Sequence, residues 1–206
     1  MELFGSSASP FVRKVRVMAI EAGVDTTFVW RELSTTPINP DLQLAEANPL
    51  AKMPTMITTN RQMLYDSRVI CEYLDNVGGG PKMFPEIGEL RWRALCQQAL
   101  GDGILDAAVS IRYERNMRPP EKMWEGWIEG QLGKMRRGLD RVDAEAEYLN
   151  GVLDIGAITL GCVAGYLDFR FPEEDWRKGR VALASWYETF SMRKSMSSTA
   201  HVVSKP

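Results

Sequence analysis

Residues 6–17 read SSASPFVRKVRV, and the parsing of this stretch decides how the rest of the chain is read. Pro10 has a backbone φ close to that of a helix and lacks the N–H that a first helical residue leaves unpaired, so it suits the first helical position. The serine directly before it, Ser9, is then a helix N-cap whose side-chain oxygen accepts an N–H from the first turn. The helix spans Pro10 to Ala22, and Gly23 closes it. Before it, ELFG at residues 2–5 reads as a brief strand. Locally, Ser9 is an ordinary cap. A hydroxyl at the positive end of a helix can also grip an anion, and the local pattern leaves both readings open.

Working outward, TTFVWREL (26–33) alternates like a strand, and NPDLQLAEA (39–47) holds a turn or two of helix. PTMIT (54–58) and QMLY (62–65), separated by the turn-like TNR, form a hairpin, and DSRVICEYLDNV (66–77) is a helix stopped by Gly78–Pro81. The order is β-α-β followed by β-β-α. From about Ile87 the texture is helical throughout. ELRWRALCQQALGDGILDAAVSIRYE (89–114) carries Cys96, Leu100, Gly103, Ala107 and Ile111 at helical spacing, and RPPE (118–121) breaks the pattern. Further helices lie in KMWEGWIEGQLGKMRRGLDRVDAEAE (122–147), in IGAITLGCVAGYLDFRF (155–171), which reads as buried nearly all round, and in RVALASWYETFSMR (180–193). The expected organisation is an α/β domain over 1–77, a linker over 78–86 and an all-α domain over 87–206.

Composition narrows the chemistry. The 206 residues carry a net charge of −2 and are 45% hydrophobic, an ordinary balance that gives no reason to expect nucleic acid or an anionic membrane as partner. Cys71, Cys96 and Cys162 form no C-x-x-C pair and read as reduced core cysteines. No signal peptide or membrane-length apolar run is visible, so a cytoplasmic location is expected. The single histidine, His201, lies in the polar tail SMSSTAHVVSKP (195–206), expected to be frayed or loosely docked. One histidine so placed argues against a Ser-His-acid triad or a multi-histidine zinc site, and no metal is expected. No phosphate-binding glycine loop is present.

Four stretches, SASPFVRKV (7–15), NPLAKMPTM (48–56), LYDSRVICEYL (64–74) and LDIGAITLGCVAGYLDFRF (153–171), together resemble the cytosolic glutathione transferases, in order and spacing, over residues 1 to about 193. The S-P-F-V-R-K start looks most like bacterial serine-type members. The resemblance implies a thioredoxin-like α/β N-terminal domain followed by an all-α helical domain. It also implies glutathione as cosubstrate, a hydrophobic electrophile as second partner, a homodimer, and a reaction of the kind used in detoxification. It makes Ser9 the catalytic residue, donating its hydroxyl hydrogen to the glutathione sulfur, with Ser6 and Ser7 as neighbouring alternatives. In the KMPT stretch it implies a cis Met53–Pro54 bond, Met53 pairing its backbone with the cysteinyl unit of glutathione and Lys52 reaching the glycyl carboxylate. Ser67 would bind the γ-glutamyl carboxylate and Asp66 the γ-glutamyl ammonium, although by local pattern alone Asp66 is an N-cap. Asp102 is a looser candidate for that ammonium, offered from a partner subunit.

Rivals within the family are tested by the residues present. Phe4 stands where tyrosine-type members carry a hydroxyl, and the first cysteine of the chain is Cys71, which disfavours a thiol-disulfide reductase. The helix near 155 departs from the family's capping box: Asp154 can accept an N–H, but Ala157 cannot return the reciprocal bond. Phe11, Ile104, Ala107, Ala108, Ile111 and Tyr113 are the candidates for the electrophile pocket, most of them equally suited to core packing. Arg112 and Arg115 could meet an anionic substrate or simply be solvated. The rival function is a non-catalytic stress, regulatory or ligand-carrying member of the same fold. The joint presence of Ser9, Lys52, Pro54, Asp66 and Ser67 favours the enzyme.

Overall fold

The computed structural model describes residues 1–201. The described chain forms two compact units: Met1–Gly88 together with residues 194–201, and Glu89–Arg193. In the first, strand β1 (Glu2–Gly5) passes through the Ser6–Ser9 loop into helix α1 (Pro10–Glu21), and β2 (Val29–Glu32) returns parallel to β1. Helix α2 (Leu42–Ala47), the antiparallel pair β3 (Thr55–Ile57) and β4 (Met63–Leu64), and helix α3 (Ser67–Val77) follow. The strands lie in the order β2-β1-β3-β4, with β3 antiparallel to β1. Leu3 and Met56 are cross-strand partners and both are fully buried. This is the small mixed sheet that the β-α-β, β-β-α order implied.

Helices α1 and α3 pack on each other. Val12, Val15 and Ala19 of α1 are buried, as are Ile70, Cys71 and Leu74 of α3, each set at the three- and four-residue spacing of one helix face. Between α3 and the next helix, Asp75 fixes the linker. Its Oδ1 accepts the Met83 N–H at 2.7 Å and its carbonyl accepts from Lys82 Nζ.

The second unit consists of α4 (Gly88–Met117), α5 (Glu125–Ala144), α6 (Ile155–Arg170) and α7 (Val181–Ser191). Helix α6 is buried along nearly its whole length, as its sequence required. The sequence-derived stripe on α4 is shifted. Cys96 and Gly103 are exposed, and the buried face runs instead through Ala94, Gln97, Gly101, Leu105, Ala108 and Ile111. The reason is the fit of α4 on α6. A Cβ at Gly101 would lie 2.7 Å from Thr159 Cγ2, and one at Gly156 would lie 2.7 Å from Gln97 Cβ, so glycines set the closest approach of the two helices. One of the three cysteines, Cys96, is therefore a surface residue and not a core residue.

Asp154 caps α6 by accepting the Ala157 N–H at 2.8 Å, without a reciprocal bond from residue 157. Burial pushes its carboxyl above the usual carboxylate range, against the opposing pull of the Ala157 and Gly156 N–H groups and of Arg93. Glu114 ties the start of α5 to α4: it accepts the Trp124 N–H at 2.9 Å and Arg118 Nε at 2.8 Å. No helix of the described residues is long and apolar enough to cross a membrane.

The chain then leaves the helical unit. Helix α8 (Lys194–Ser198) packs on α1, so this segment belongs with the first unit and not with the helical part where the sequence placed it. It is not loose as far as His201. Arg13, only 4% exposed, donates from Nη2 to the Met196 carbonyl at 3.0 Å, Ser195 Oγ lies 2.5 Å from Glu21 Oε1, and Met196 and Thr199 are buried. Arg13, a charged residue of α1, is thus turned inward to receive the segment that follows the helical unit. Residues 202–206 of the tail expectation lie outside the described residues.

Candidate functional site

The three serines before α1 have three different environments. Ser9 is extended (φ −83°, ψ 126°) and its Oγ accepts the Val12 N–H at 3.4 Å, the N-cap geometry expected from the Ser-Pro pair. Because Ser9 Oγ accepts here, its own hydrogen remains available for donation. Ser6 Oγ accepts the Ala8 N–H at 3.3 Å, tightening the turn that leads to the cap. Ser7 Oγ lies 3.5 Å from Glu32 Oε1, so its hydrogen points to a carboxylate. Among the three, Ser9 alone combines a position at a helix N-terminus with an uncommitted hydroxyl hydrogen.

The loop is held from both sides at Ser7. The Ser7 N–H donates to Glu32 Oε1 at 3.1 Å, and His201 Nδ1 lies 3.0 Å from the Ser7 carbonyl. A carbonyl only accepts, so Nδ1 carries the hydrogen in this contact. Glu32 Oε2 in turn accepts Trp30 Nε1 at 2.8 Å, and the Arg16 guanidinium sits 5.4 Å from the centre of the Trp30 ring. Burial lowers the pKa of Arg16, while Glu32 raises it and Arg13 lowers it further. Glu32 did not stand out in the sequence, and His201 was noted only as the single histidine of the tail, since their contacts with Ser7 span 25 and 194 residues.

The second stretch, residues 48–56, is organised by Asn48. This side chain is buried, and its Nδ2 donates to the Lys52 carbonyl at 3.0 Å and to Thr55 Oγ1 at 3.1 Å, while its Oδ1 accepts the Leu50 N–H at 3.0 Å. Thr55 Oγ1 also donates to the Lys52 carbonyl at 2.9 Å. Within this frame the Met53–Pro54 bond is cis. No backbone hydrogen bond among the described residues engages Met53, so its N–H and C=O stand open as a strand-like pair beside the start of β3. The Lys52 side chain is exposed.

At the start of α3, Asp66 Oδ1 accepts the Arg68 N–H at 2.9 Å, which makes Asp66 the N-cap that its local pattern indicated. Ser67, the first helical residue, is 3% exposed. Ser9, Met53 and Ser67 thus each sit where a chain segment begins or resumes regular structure, in positions that leave hydrogen-bonding groups unused by the fold.

The predicted pocket residues divide. Ile104, Ala107, Ala108 and Ile111 are buried along α4, and Ile104 stands against Gly138, where a Cβ would meet its Cγ1 at 2.7 Å. They belong to the packing of the helical unit, because the face of α4 that looked like a pocket lining is the face that α5 and α6 cover. Phe11 is partly exposed and Tyr113 is exposed. Burial pushes the Tyr113 hydroxyl pKa up, partly offset by Arg112. Arg115 pairs with Glu173 at 2.7 Å. Asp102 is 1% exposed, so its carboxylate is not presented to a partner subunit.

Comparison with known proteins gives a consistent result. Residues 8–77 match the family described as glutathione S-transferase, N-terminal domain, and residues 125–189 match glutathione S-transferase, C-terminal domain. The chain is 32% identical over 205 residues to an uncharacterized GST-like protein, YibF, of Escherichia coli strain K12, covering 97% of this chain and 98% of that one. A glutathione transferase family member from Pseudomonas fluorescens Pf-5, solved with bound glutathione, superposes with a TM-score of 0.96 at 45% identity over 98% of this chain and 99% of that one. A glutathione S-transferase from Methylobacillus flagellatus KT, also with glutathione bound, superposes with a TM-score of 0.86 at 35% identity over 98% and 99% of the two chains.

Proposed function

This chain belongs to the glutathione S-transferase family, and from that premise we propose that it is a serine-type transferase that binds reduced glutathione in its first unit, stabilises the thiolate and adds it to an electrophilic small molecule. Ser9 carries the reading. Its hydroxyl accepts the Val12 N–H and has its own hydrogen to give, at the positive end of α1. A thiol of pKa ~8.5 is only a few per cent ionised at neutral pH. Lowering that value by ~2 units takes ~2.7 kcal/mol of preference for the anion. A charge-assisted hydrogen bond and a helix terminus together are of that size. The thiol proton leaves to solvent, and Ser9 keeps its own.

The rest of glutathione fits the same unit. Met53 offers an open backbone pair to the cysteinyl segment beside cis Pro54, and Lys52 offers a flexible point charge to the glycyl carboxylate. Ser67 at the start of α3 suits the γ-glutamyl carboxylate, and Asp66 the γ-glutamyl ammonium through whichever oxygen lone pairs the cap leaves unused. Titrating bound glutathione by thiolate absorbance tests the proposal. A thiol pKa clearly below the free value supports it. Binding without a shift makes the protein a carrier or regulator, and absence of binding removes the transferase reading.

Glu32 is the positioning residue of this scheme, because it anchors the loop that carries Ser9. Glu32→Ala is expected to lower kcat by ~10-fold with a raised bound-thiol pKa, as the loss of an anchoring charge-assisted bond implies. Glu32→Gln, which keeps an acceptor for the Ser7 N–H, is expected to retain most of the activity. Equal losses in both variants would assign the effect to charge instead of anchoring.

We further propose a homodimer in the cytoplasm. Tyr65 and Val69, at the start of α3, expose 39% and 46% of their surface, apolar area suited to burial by a second copy. Sedimentation velocity at micromolar concentration is expected to give twice the 23.2 kDa chain mass. A monomer would remove this part of the reading.

A further inference from the structure

Helices α4 and α6 pass each other in the same direction: Gly156 of α6 meets Gln97 of α4, and one turn on Thr159 meets Gly101. Followed about three turns further along both helices, the same direction brings Arg112 and Arg170 to one level, where the charge of Arg112 acts on Arg170. The two are partly buried, and neither has a carboxylate within ion-pair distance among the described residues. The acids around them are committed elsewhere. Glu173 is on Arg115, Glu114 on Arg118 and the Trp124 N–H, and Asp168 on Arg177 and Trp176.

Two neighbouring guanidiniums without a counter-ion are an unfavourable arrangement that the fold nevertheless keeps. Arg170 is pressed further. Its Nε is buried and has no hydrogen-bond partner, and its guanidinium carbon lies 3.8 Å from the centre of the Phe169 ring. Burial lowers the pKa of Arg170 and the charge of Arg112 lowers it again, while both charges act on the Tyr166 hydroxyl, which burial holds up at about 12. The surroundings are aromatic: Tyr166 and Phe171 have ring centres 6.4 Å apart, and the Arg115 guanidinium lies 5.9 Å from the Phe171 ring.

We propose that Arg112 and Arg170 together form a binding site for the carboxylate of a small organic acid with an apolar or aromatic body. A planar anion matches the guanidinium fork, and it answers a buried N–H donor that has no partner in the protein. The aromatic side chains favour an acid with a hydrophobic body over a bare inorganic anion. Such an acid is either a ligand in its own right or the acceptor that glutathione attacks, and the second alternative rests on the transferase reading.

Calorimetric titration of the full chain with benzoate at low salt tests the site. Saturable binding is expected. Arg112→Gln and Arg170→Gln should each weaken it at least about tenfold, and Lys134→Gln, an equal loss of charge on the exposed face of α5, less than about twofold. No binding, or equal weakening by all three changes, overturns the site. Inorganic phosphate that competes as well as benzoate overturns the organic-acid assignment. Should a variant fail to fold, the wild-type Arg Nε–H resonances decide: that of Arg170 must shift on adding benzoate, and a stationary signal overturns the proposal.

A kinetic arm separates the two sources. With 4-chloro-3-nitrobenzoate, sulfur bonds to the ring carbon as chloride leaves, as it does with neutral 1-chloro-2,4-dinitrobenzene. If the acid is the acceptor, Arg112→Gln lowers kcat/KM for the first about tenfold and for the second less than about twofold. Equal effects make the site a ligand site apart from the reaction. If neither compound reacts, the transferase reading loses support while the benzoate titration still decides the site.

Discussion

Ser9→Ala is expected to raise the pKa of enzyme-bound glutathione by about one to two units and to cut turnover at neutral pH by ~10–100-fold. The size follows from the bond that is lost. A hydrogen bond to a charged acceptor is worth ~1.5–3 kcal/mol, and each 1.36 kcal/mol is one pKa unit. The pH profile carries the sign. A thiol whose bound pKa is depressed reacts maximally above that pKa, so at saturating glutathione kcat/KM for the electrophile should rise with pH, half-maximal at the bound pKa and level above it. In Ser9→Ala the midpoint moves to higher pH, and activity recovers in alkali. A uniform loss at every pH would mean that the variant damages binding and not ionisation. The change also removes the cap of α1, at a cost of about 1 kcal/mol, so melting must be followed in parallel. Ser9→Cys replaces the donor by a thiol and is expected to gain thiol-disulfide reductase activity. Failure to gain it would question the placement of the site.

Asn48→Ala is expected to destabilise the protein by about 2–4 kcal/mol and to raise the KM for glutathione about tenfold with a smaller change in kcat. Three hydrogen bonds of a buried amide disappear together. The Leu50 N–H loses its acceptor, and the Lys52 carbonyl keeps only Thr55 Oγ1. Leaving buried groups unsatisfied costs ~1–3 kcal/mol each, partly recovered where water enters. The loop that loosens is the one presenting Met53, whose proposed role is to bind and not to activate, so the loss belongs in KM. Asn48→Asp keeps Oδ1 for Leu50 but removes the Nδ2 donor, and should fall between wild type and alanine. A loss confined to kcat would place the effect at the thiolate and contradict the role given to this loop.

These residues also mark how far the chain could be read before its structure was known. The strands and helices of the first unit were legible because each is announced locally. Pro10 and Ser9 start α1, Asp66 starts α3, and the glycines from 78 stop it. Ser9, Met53 and Ser67 could be singled out as candidates because they lie inside contiguous motifs. Asn48 was inside a quoted motif and still passed unnoticed, since an asparagine beside a proline reads as a turn. Glu32 and His201 act on Ser7 from distant points in the chain, and no local pattern encodes such a pair. On α4 the helical period was visible but its phase was not. Cys96 and Ala99 face outward because the glycine at 101 must face Thr159, and only the packed partner reveals that.

The docking of α8 on α1 carries a consequence for synthesis. A ribosome releases the first strands and helices of the N-terminal unit early, yet the carbonyl that receives Arg13 is at Met196 and arrives only after all of α4 to α7. Domains commonly mature in the order in which they emerge. Here the first unit to emerge is the last to be completed, and until then a positive charge destined for the interior has no acceptor from the chain's end. A ribosome stalled before residue 194 therefore holds a chain whose first unit lacks the segment that packs on α1 and accepts from Arg13.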